Sequence, residues 1–365
     1  MTMRAVVVAV AMIILIVLSV MPMSARAIID FHLLREMATK NNVTCILVFG
    51  DSSVDPGNNN RLPQASKGNF PPYGKSLFNG HPTGRLSNGR LATDFIAEAL
   101  GYTNIIKGFL DPTIKNVDVL HGVSFASAGT GYDELTANLS NAISLRRQLE
   151  YFKHYKIHLR QLVGVKKAEE IIRNAVFVLS MGTNDLLQNY YREPIRSPQF
   201  SVKQYQNFLI SNMFHAVQEM NKMGARRLAV VGLAPFGCVP LVKTLKDTSK
   251  CDDEYNEVAF SFNSKLKDKL STIKSSLGML TAYIDTYSVI ARVIKNPHKY
   301  GFKVTTKGCC GSGLIEYSYS CKGLGTCADP TKYIFWDAVH PTEKMYEILA
   351  GEAIKSIAYY ISTKG

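Results

Sequence analysis

The chain holds a single tryptophan, Trp336, and only 29 acidic residues against 42 lysines and arginines. It has no low-complexity tract, internal repeat or linker-like stretch, which excludes a string of small modules or a disordered carrier. The basic excess, formally +13, raises the question of nucleic acid. The lysines and arginines are dispersed, however, and neither a zinc-finger spacing nor a basic–aromatic ribonucleoprotein motif is present, so nucleic acid is set aside as the main partner. A basic surface able to cling to acidic extracellular polymers is the simpler reading. Beyond Val20 no apolar run is long enough to cross a bilayer, so stable membrane insertion is not expected once the N-terminal segment is removed.

Nearly half of the residues, 46%, are apolar. With 365 residues there is ample length for a sizeable core, and the composition is that of a globular chain. The N-terminus stands apart. Arg4 precedes the apolar stretch from Ala5 to Val20, then come Pro22 and a small-residue Ala25-Arg26-Ala27 site, the layout of a secretory signal over residues 1–27. Its 16 residues, apolar but for Ser19, fall short of the ~20 that span a membrane comfortably. Cleavage after Ala27 removes Arg4 and Arg26 and leaves 40 basic against 29 acidic residues, a formal +11.

A secreted chain with seven cysteines is expected to contain disulfides. Cys45, inside an apolar strand, is the expected unpaired residue. Cys238 and Cys251 would close a short loop, and Cys309, Cys310, Cys321 and Cys327 would form two bridges of undetermined pairing. A four-cysteine zinc site is disfavoured because Cys309 and Cys310 are adjacent and the compartment is oxidising. Asn42-Val43-Thr44 and Asn138-Leu139-Ser140 are glycosylation sequons.

Strand-like apolar segments recur at 46–49, 176–180, 228–233 and 281–285, with helical periodicity at 91–100, 143–155, 168–174, 202–223 and 253–277. Continuous apolar strands alternating with amphipathic helices indicate an α/β fold with a parallel sheet covered on both faces. The long stretch 55–90, rich in Gly, Pro and Asn, reads as a surface loop that shapes a substrate site beyond the strand ends.

One serine, one acid and one histidine are well placed for nucleophilic chemistry. Ser52 follows the first apolar run, where a turn can hold its hydroxyl at the rim of the sheet. Asp337 and His340 lie three residues apart, so one short turn can present both to the same point. Each has an ordinary reading alone: Ser52 as a turn residue, Asp51 as a helix cap, His340 as a satisfied polar residue before Pro341. The surrounding blocks decide between them. Residues 49–60, Phe-Gly-Asp-Ser-Ser-Val-Asp-Pro-Gly-Asn-Asn-Asn, are followed by 84–90, Gly-Arg-Leu-Ser-Asn-Gly-Arg, and 122–131, Gly-Val-Ser-Phe-Ala-Ser-Ala-Gly-Thr-Gly. Then come 182–185, Gly-Thr-Asn-Asp, and 335–342, Phe-Trp-Asp-Ala-Val-His-Pro-Thr. In this order they resemble the blocks of the plant GDSL esterase/lipases, within the SGNH hydrolase superfamily. The resemblance runs from Cys45 to the C-terminus.

The resemblance implies a three-layer α/β/α fold, flavodoxin-like with a five-stranded parallel sheet, forming one domain over 28–365. It implies Ser52 as nucleophile, His340 as general base and Asp337 as the carboxylate orienting it. The backbone N–H groups of Ser52 and Gly129 and the side-chain amide of Asn184 would form an oxyanion hole. Two positions depart from the pattern: Ser53 stands where the motif names leucine, and Ala128 where glycine is common. No metal or organic cofactor is required. The expected activity is that of a secreted hydrolase of carboxylic esters acting on acyl esters or lipids. An acyltransferase passing the acyl group to an alcohol is the first alternative, and a non-catalytic wall or lipid-binding protein the second.

Overall fold

The computed structural model describes residues 31–77 and 80–362. The expected signal segment, 1–27, lies outside the described residues. Four strands form the central sheet: β1 (Ile46–Gly50), β2 (Val176–Ser180), β3 (Arg227–Val231) and β4 (Leu280–Ile284). They are parallel and adjacent in that order, with Ile46 opposite Val176, Val176 opposite Arg227 and Arg227 opposite Leu280. Every residue of β1 and β2 is buried, as unbroken apolar runs require of strands covered on both faces.

The fifth strand anticipated from the resemblance is present only as an irregular edge. Residues 123–127 run beside β1: Phe125 N–H donates to the Val48 carbonyl (2.7 Å), and Val48 N–H to Val123 (3.0 Å). A single parallel bridge, Val48 to Ser124, is regular. Counting this edge, the spatial order by position in the chain is 2-1-3-4-5, the flavodoxin-like winding. On its far side Ser124 makes one further bridge, to Gly108; the Ser124, Ala126 and Ala128 carbonyls and the Ala128 N–H are engaged by side chains of the 55–59 segment.

Helices fill both faces. Leu145–Val163, Val202–Lys222 and Asp253–Leu277 pack on one another on one side; Ala92–Ala99, Thr286–Lys295 and Glu343–Ser362 associate on the other. The expected helix at 253–277 has those bounds because Asp252 accepts the Tyr255 N–H (2.8 Å) at its start and Gly278 adopts a left-handed conformation at its end. The helix expected at 143–155 runs on to Val163, ending only where Gly164 interrupts it. A second small sheet, β5 (Val304–Gly308) paired with β6 (Tyr333–Phe335), carries the last block toward the main sheet's rim. Disulfides Cys309–Cys327 and Cys310–Cys321 staple that region, Cys238–Cys251 closes the short loop, and Cys45 is free and buried.

The 55–90 stretch corrects the surface-loop expectation. Asp55, Asn58, Asn59, Lys67, Tyr73, Arg85, Ser87 and Asn88 are all buried. Gly, Pro and Asn are abundant there because the backbone folds tightly against itself and side-chain amides replace ladder hydrogen bonds. Arg85 grips Asp94 through two bonds, Nε to Oδ2 (2.9 Å) and Nη2 to Oδ1 (2.8 Å), and also donates to the Ile106 carbonyl. Asp94 is fully buried and accepts the Leu91 and Ile106 N–H groups besides. Removing the guanidinium strands a charge. Arg85→Ala is therefore expected to cost about 3–5 kcal/mol of unfolding free energy, read as a lowered urea midpoint. An unchanged midpoint would show that water replaces the guanidinium without loss.

Candidate active site

The turn carrying Ser52 is built by its neighbours. At the end of β1, Gly50 approaches β2 so closely that a Cβ would lie 2.2 Å from the Ser180 carbonyl oxygen; only glycine fits. The side chain of Gln148 clamps that glycine, accepting its N–H (3.0 Å) and donating to its carbonyl (2.9 Å). Asp51 then donates its N–H to Ser180 (2.9 Å), and its Oδ1 accepts both the N–H and the hydroxyl of Ser53 (2.9 and 2.7 Å). Since the Ser53 proton goes to Asp51, the 2.8 Å contact between Ser53 and Ser180 hydroxyls is donated by Ser180. The departure at Ser53 is thus used to tighten the turn. Burial pushes Asp51 up to about 6, opposed by the Ser53 hydrogen bonds and the charge of His340.

The loop bearing Gly129 is held from the same side. Asp55 accepts the N–H groups of Gly57, Asn58 and Ala128 (2.7–2.9 Å). Asn58 donates to the Ser124 and Ala126 carbonyls, and Asn59 to that of Ala128. Ala128 is accommodated: its methyl is buried with Phe70, Tyr73, Leu86 and Trp336. Next along the chain, Gly131 lies against Asp185, whose Oδ1 would sit 2.1 Å from any Cβ there. Asp185 is fully buried and accepts Tyr132 N–H (2.7 Å), Asp133 N–H (3.1 Å) and the Thr136 hydroxyl (2.6 Å). Burial nonetheless raises it to about 7. Asn184, beyond β2, donates one amide hydrogen to the Thr130 carbonyl (2.9 Å). An amide has two such hydrogens, so the second is available to a ligand.

The last block folds about one carboxylate. Asp337 is fully buried, and its Oδ1 accepts the backbone N–H groups of Val339 (2.9 Å) and His340 (2.7 Å). His340 Nδ1 lies 2.8 Å from Asp337 Oδ2, and the Tyr73 hydroxyl donates to the same oxygen (2.8 Å). Tyr73 is fixed in turn by accepting the Ser318 N–H (2.6 Å). With Nδ1 held by the carboxylate, the other ring nitrogen, Nε2, is left to exchange a proton.

Ser52, Asn184, Leu187, Val339 and His340 form a common rim between two recesses. No Ser52–His340 hydrogen bond forms among the described residues, as is common for catalytic contacts that tighten around substrate. Gly129 lines only the second recess. Thus the structure brings Ser52, Asn184, Asp337 and His340 together, with Gly129 at the edge. Asn42 and Asn138 are both exposed. No group of His, Cys, Asp and Glu able to hold a metal occurs among the described residues, and no helix there is long and apolar enough to cross a membrane.

The model of the family "GDSL-like Lipase/Acylhydrolase" matches residues 46–353. The chain belongs to this family. Two Arabidopsis thaliana proteins, each named a GDSL esterase/lipase, are similar throughout. One is 52% identical over 344 residues, covering 94% of this chain and 96% of that one. The other is 42% identical, covering 91% and 98%. A solved lipase from a goat rumen metagenome aligns over 86% of this chain and 97% of its own, at 14% identity and a TM-score of 0.38, too distant to bear on the site.

Sequence reasoning missed Tyr73, Gln148 and Asp55. Nothing local marks Gln148 within its helix. Tyr73 follows Pro71-Pro72, a turn signal that gives no hint of a partner 264 residues away. Two outcomes follow from the geometry. Tyr73→Phe removes one charge-assisted bond from Asp337, which should lower kcat for a nitrophenyl ester about tenfold with KM little changed; an unaltered kcat would show Tyr73 to be packing alone. For Asp185, the folded pKa lies above the unfolded value, so its stabilising contribution is complete below about pH 4 and is lost as pH rises through about 7. The melting-temperature advantage of the natural chain over Asp185→Asn should therefore shrink between pH 4 and 8. A gap that widens would reverse the sign assigned to this group.

Proposed function

We propose that this chain is a serine hydrolase of carboxylic esters that works through an acyl-enzyme on Ser52. The observation that carries the reading is the Asp337–His340 pair, locked by four donors, at a rim shared with the Ser52 hydroxyl. As Ser52 Oγ bonds to the ester carbonyl carbon, His340 Nε2 takes the hydroxyl proton, and Asp337 holds the ring and stabilises its charged form. The negative oxygen of the tetrahedral intermediate is met by the second Asn184 amide hydrogen and the N–H groups of Ser52 and Gly129; one such donor is worth ~3 kcal/mol of barrier. The bond to the alcohol then breaks and His340 returns the proton to the departing oxygen. Water repeats the sequence in reverse: its proton passes to His340, its oxygen to the acyl carbon, and Ser52 leaves reprotonated. None of these steps needs a metal or organic cofactor.

The esterase/lipase names of the two relatives support the ester class. Three disulfides support an oxidising compartment. With the N-terminal signal layout and two exposed sequons, at Asn42 and Asn138, they favour a secreted glycoprotein consisting of one hydrolase domain after residue 27. Its net basic charge suits an acidic extracellular polymer as a surface on which to work. Transfer to an alcohol acceptor instead of water is favoured only if the recess beside Gly129 holds that alcohol in place of water.

Hydrolysis of nitrophenyl esters from acetate to palmitate by the mature protein, beside Ser52→Ala, tests the mechanism. Turnover should fall by roughly four orders of magnitude or more in the variant. Equal turnover in both proteins would remove Ser52 from the chemistry. Product that appears only with an added alcohol would establish the transferase.

A further inference from the structure

The rim of Ser52 and His340 separates two recesses of opposite character. On one side the wall comes from the segment after β3 (Leu233, Phe236), the helix Thr286–Lys295 (Ile290), β6 (Phe335) and the last helix (Leu349), all buried. On the other side Gln64, Ser66, Asn141, Gln188, Arg192 and Tyr317 line the wall among Leu86, Leu139 and Leu241, several of the polar ones open to solvent. Two of these lie four residues apart on the π-helix Asp185–Arg192, a wide winding that is uncommon and frequent at functional sites. The polar side chains are partly pre-set: Ser140 donates to Gln188 Oε1 (3.0 Å) and Arg192 to the Tyr317 hydroxyl (2.5 Å). Both groups keep further donors, since Gln188 retains its whole NH2 group and Arg192 most of its five N–H donors.

From this division, and resting on the serine-esterase reading above, we propose a substrate class: the acyl half enters the buried apolar recess, and the alcohol half is polyhydroxylated, of the sugar or polyol type, seated in the polar recess. The chemistry of each half dictates its side. The acyl group must stay on Ser52 after the alcohol departs, and the apolar wall holds a hydrocarbon chain by removing its surface from water. The alcohol must leave in the first step, and the polar recess binds it through hydrogen bonds that water takes over as it departs. A simple alkyl alcohol in that recess would desolvate Gln188 and Arg192 without replacing their bonds, which costs affinity. A hydroxylated alcohol replaces them. Specificity built on such groups penalises the analogue that lacks them more strongly than an apolar pocket penalises a missing methylene.

The test compares two substrates with the same acyl chain, the hexanoyl ester of methyl glucoside and methyl hexanoate, using the mature protein. The glucoside ester should have the higher kcat/KM, by about tenfold or more. In Gln188→Leu/Arg192→Leu that ratio should fall toward unity. In Ile290→Phe and, separately, Leu349→Phe, the preference for hexanoyl over acetyl nitrophenyl esters should collapse; circular dichroism confirms that each variant is folded. A methyl ester cleaved as well as the glucoside ester, with Ser52-dependent turnover intact, would overturn this assignment and leave the esterase reading standing. So would a glucoside preference untouched in the double variant. An unchanged chain-length preference in both folded phenylalanine variants would overturn the acyl placement. Absence of Ser52-dependent turnover on every ester would overturn the esterase reading and this inference with it.

Discussion

A carboxylate with no exposed surface has to be compensated by the chain around it, and the site is arranged to do so at Asp337. Its two oxygens receive the Val339 and His340 N–H groups, the His340 ring and the Tyr73 hydroxyl. An ionised group taken out of water costs several kcal/mol unless such partners are in place. These partners come from two distant parts of the chain, and a third, the Ser318 N–H, fixes the tyrosine. The last block, the stapled region between Cys309 and Cys327, and the 55–90 stretch therefore meet because one buried charge requires them to. The disulfides add covalent closure to a junction whose specificity is electrostatic.

The same device recurs along the rim. Asp55 gathers three backbone N–H groups and Asp185 two more with a hydroxyl, while the amides of Asn58, Asn59 and Asn184 serve carbonyls that no strand reaches. The outer edge at 123–127 pairs with β1 on one side and meets segment 107–109 at a single bridge, Ser124 to Gly108, on the other. Beyond that bridge these side chains take over from the ladder, satisfying the Ala126 and Ala128 carbonyls that a sheet would have paired. A loop satisfied in this way is fixed without being part of a sheet, which lets it carry backbone donors at a strand's C-terminal end. The carboxylates pushed up by burial, Asp51 and Asp55 to about 6 and Asp185 to about 7, indicate the desolvation this arrangement tolerates.

How much of this was legible in the sequence depends on the range of each interaction. The four regular strands were readable as apolar runs, and the helix 253–277 from its periodicity and its flanking Asp and Gly, because those signals are local. Ser52, Asp337, His340 and Asn184 were readable through ordered blocks, not through any one of them. The fifth strand was expected from the resemblance alone: Gly122, Ser124 and Ser127 interrupt any apolar run there, and Asn58 and Asn59, which bind it, lie far away in the chain. The 55–90 stretch was misread as surface because Gly, Pro and Asn are the residues of exposed turns. Here they form turns that are buried, and only the distant partners of Arg85, Asn58 and Tyr73 reveal it. Gln148 has no sequence signal, since a glutamine on an amphipathic helix looks the same whether it faces water or the end of β1.

The two sides of the rim follow from where the chain is free to vary. The apolar recess is cut into the core at the carboxyl ends of β3 and β4. Its residues are constrained by packing as much as by any ligand, so a hydrocarbon-compatible wall is what the fold supplies there in any case. The polar recess is bounded by 64–66, 139–141 and the π-helix; that helix places Leu186, Leu187 and Tyr190 in the core and turns Gln188 and Arg192 toward the recess. Polar side chains there are not demanded by packing, and that makes their convergence on Ser52 the more informative of the two walls. A fold of this type presents its nucleophile between a surface it must make apolar and one it is free to make polar, and the second is where selectivity for the alcohol can be written.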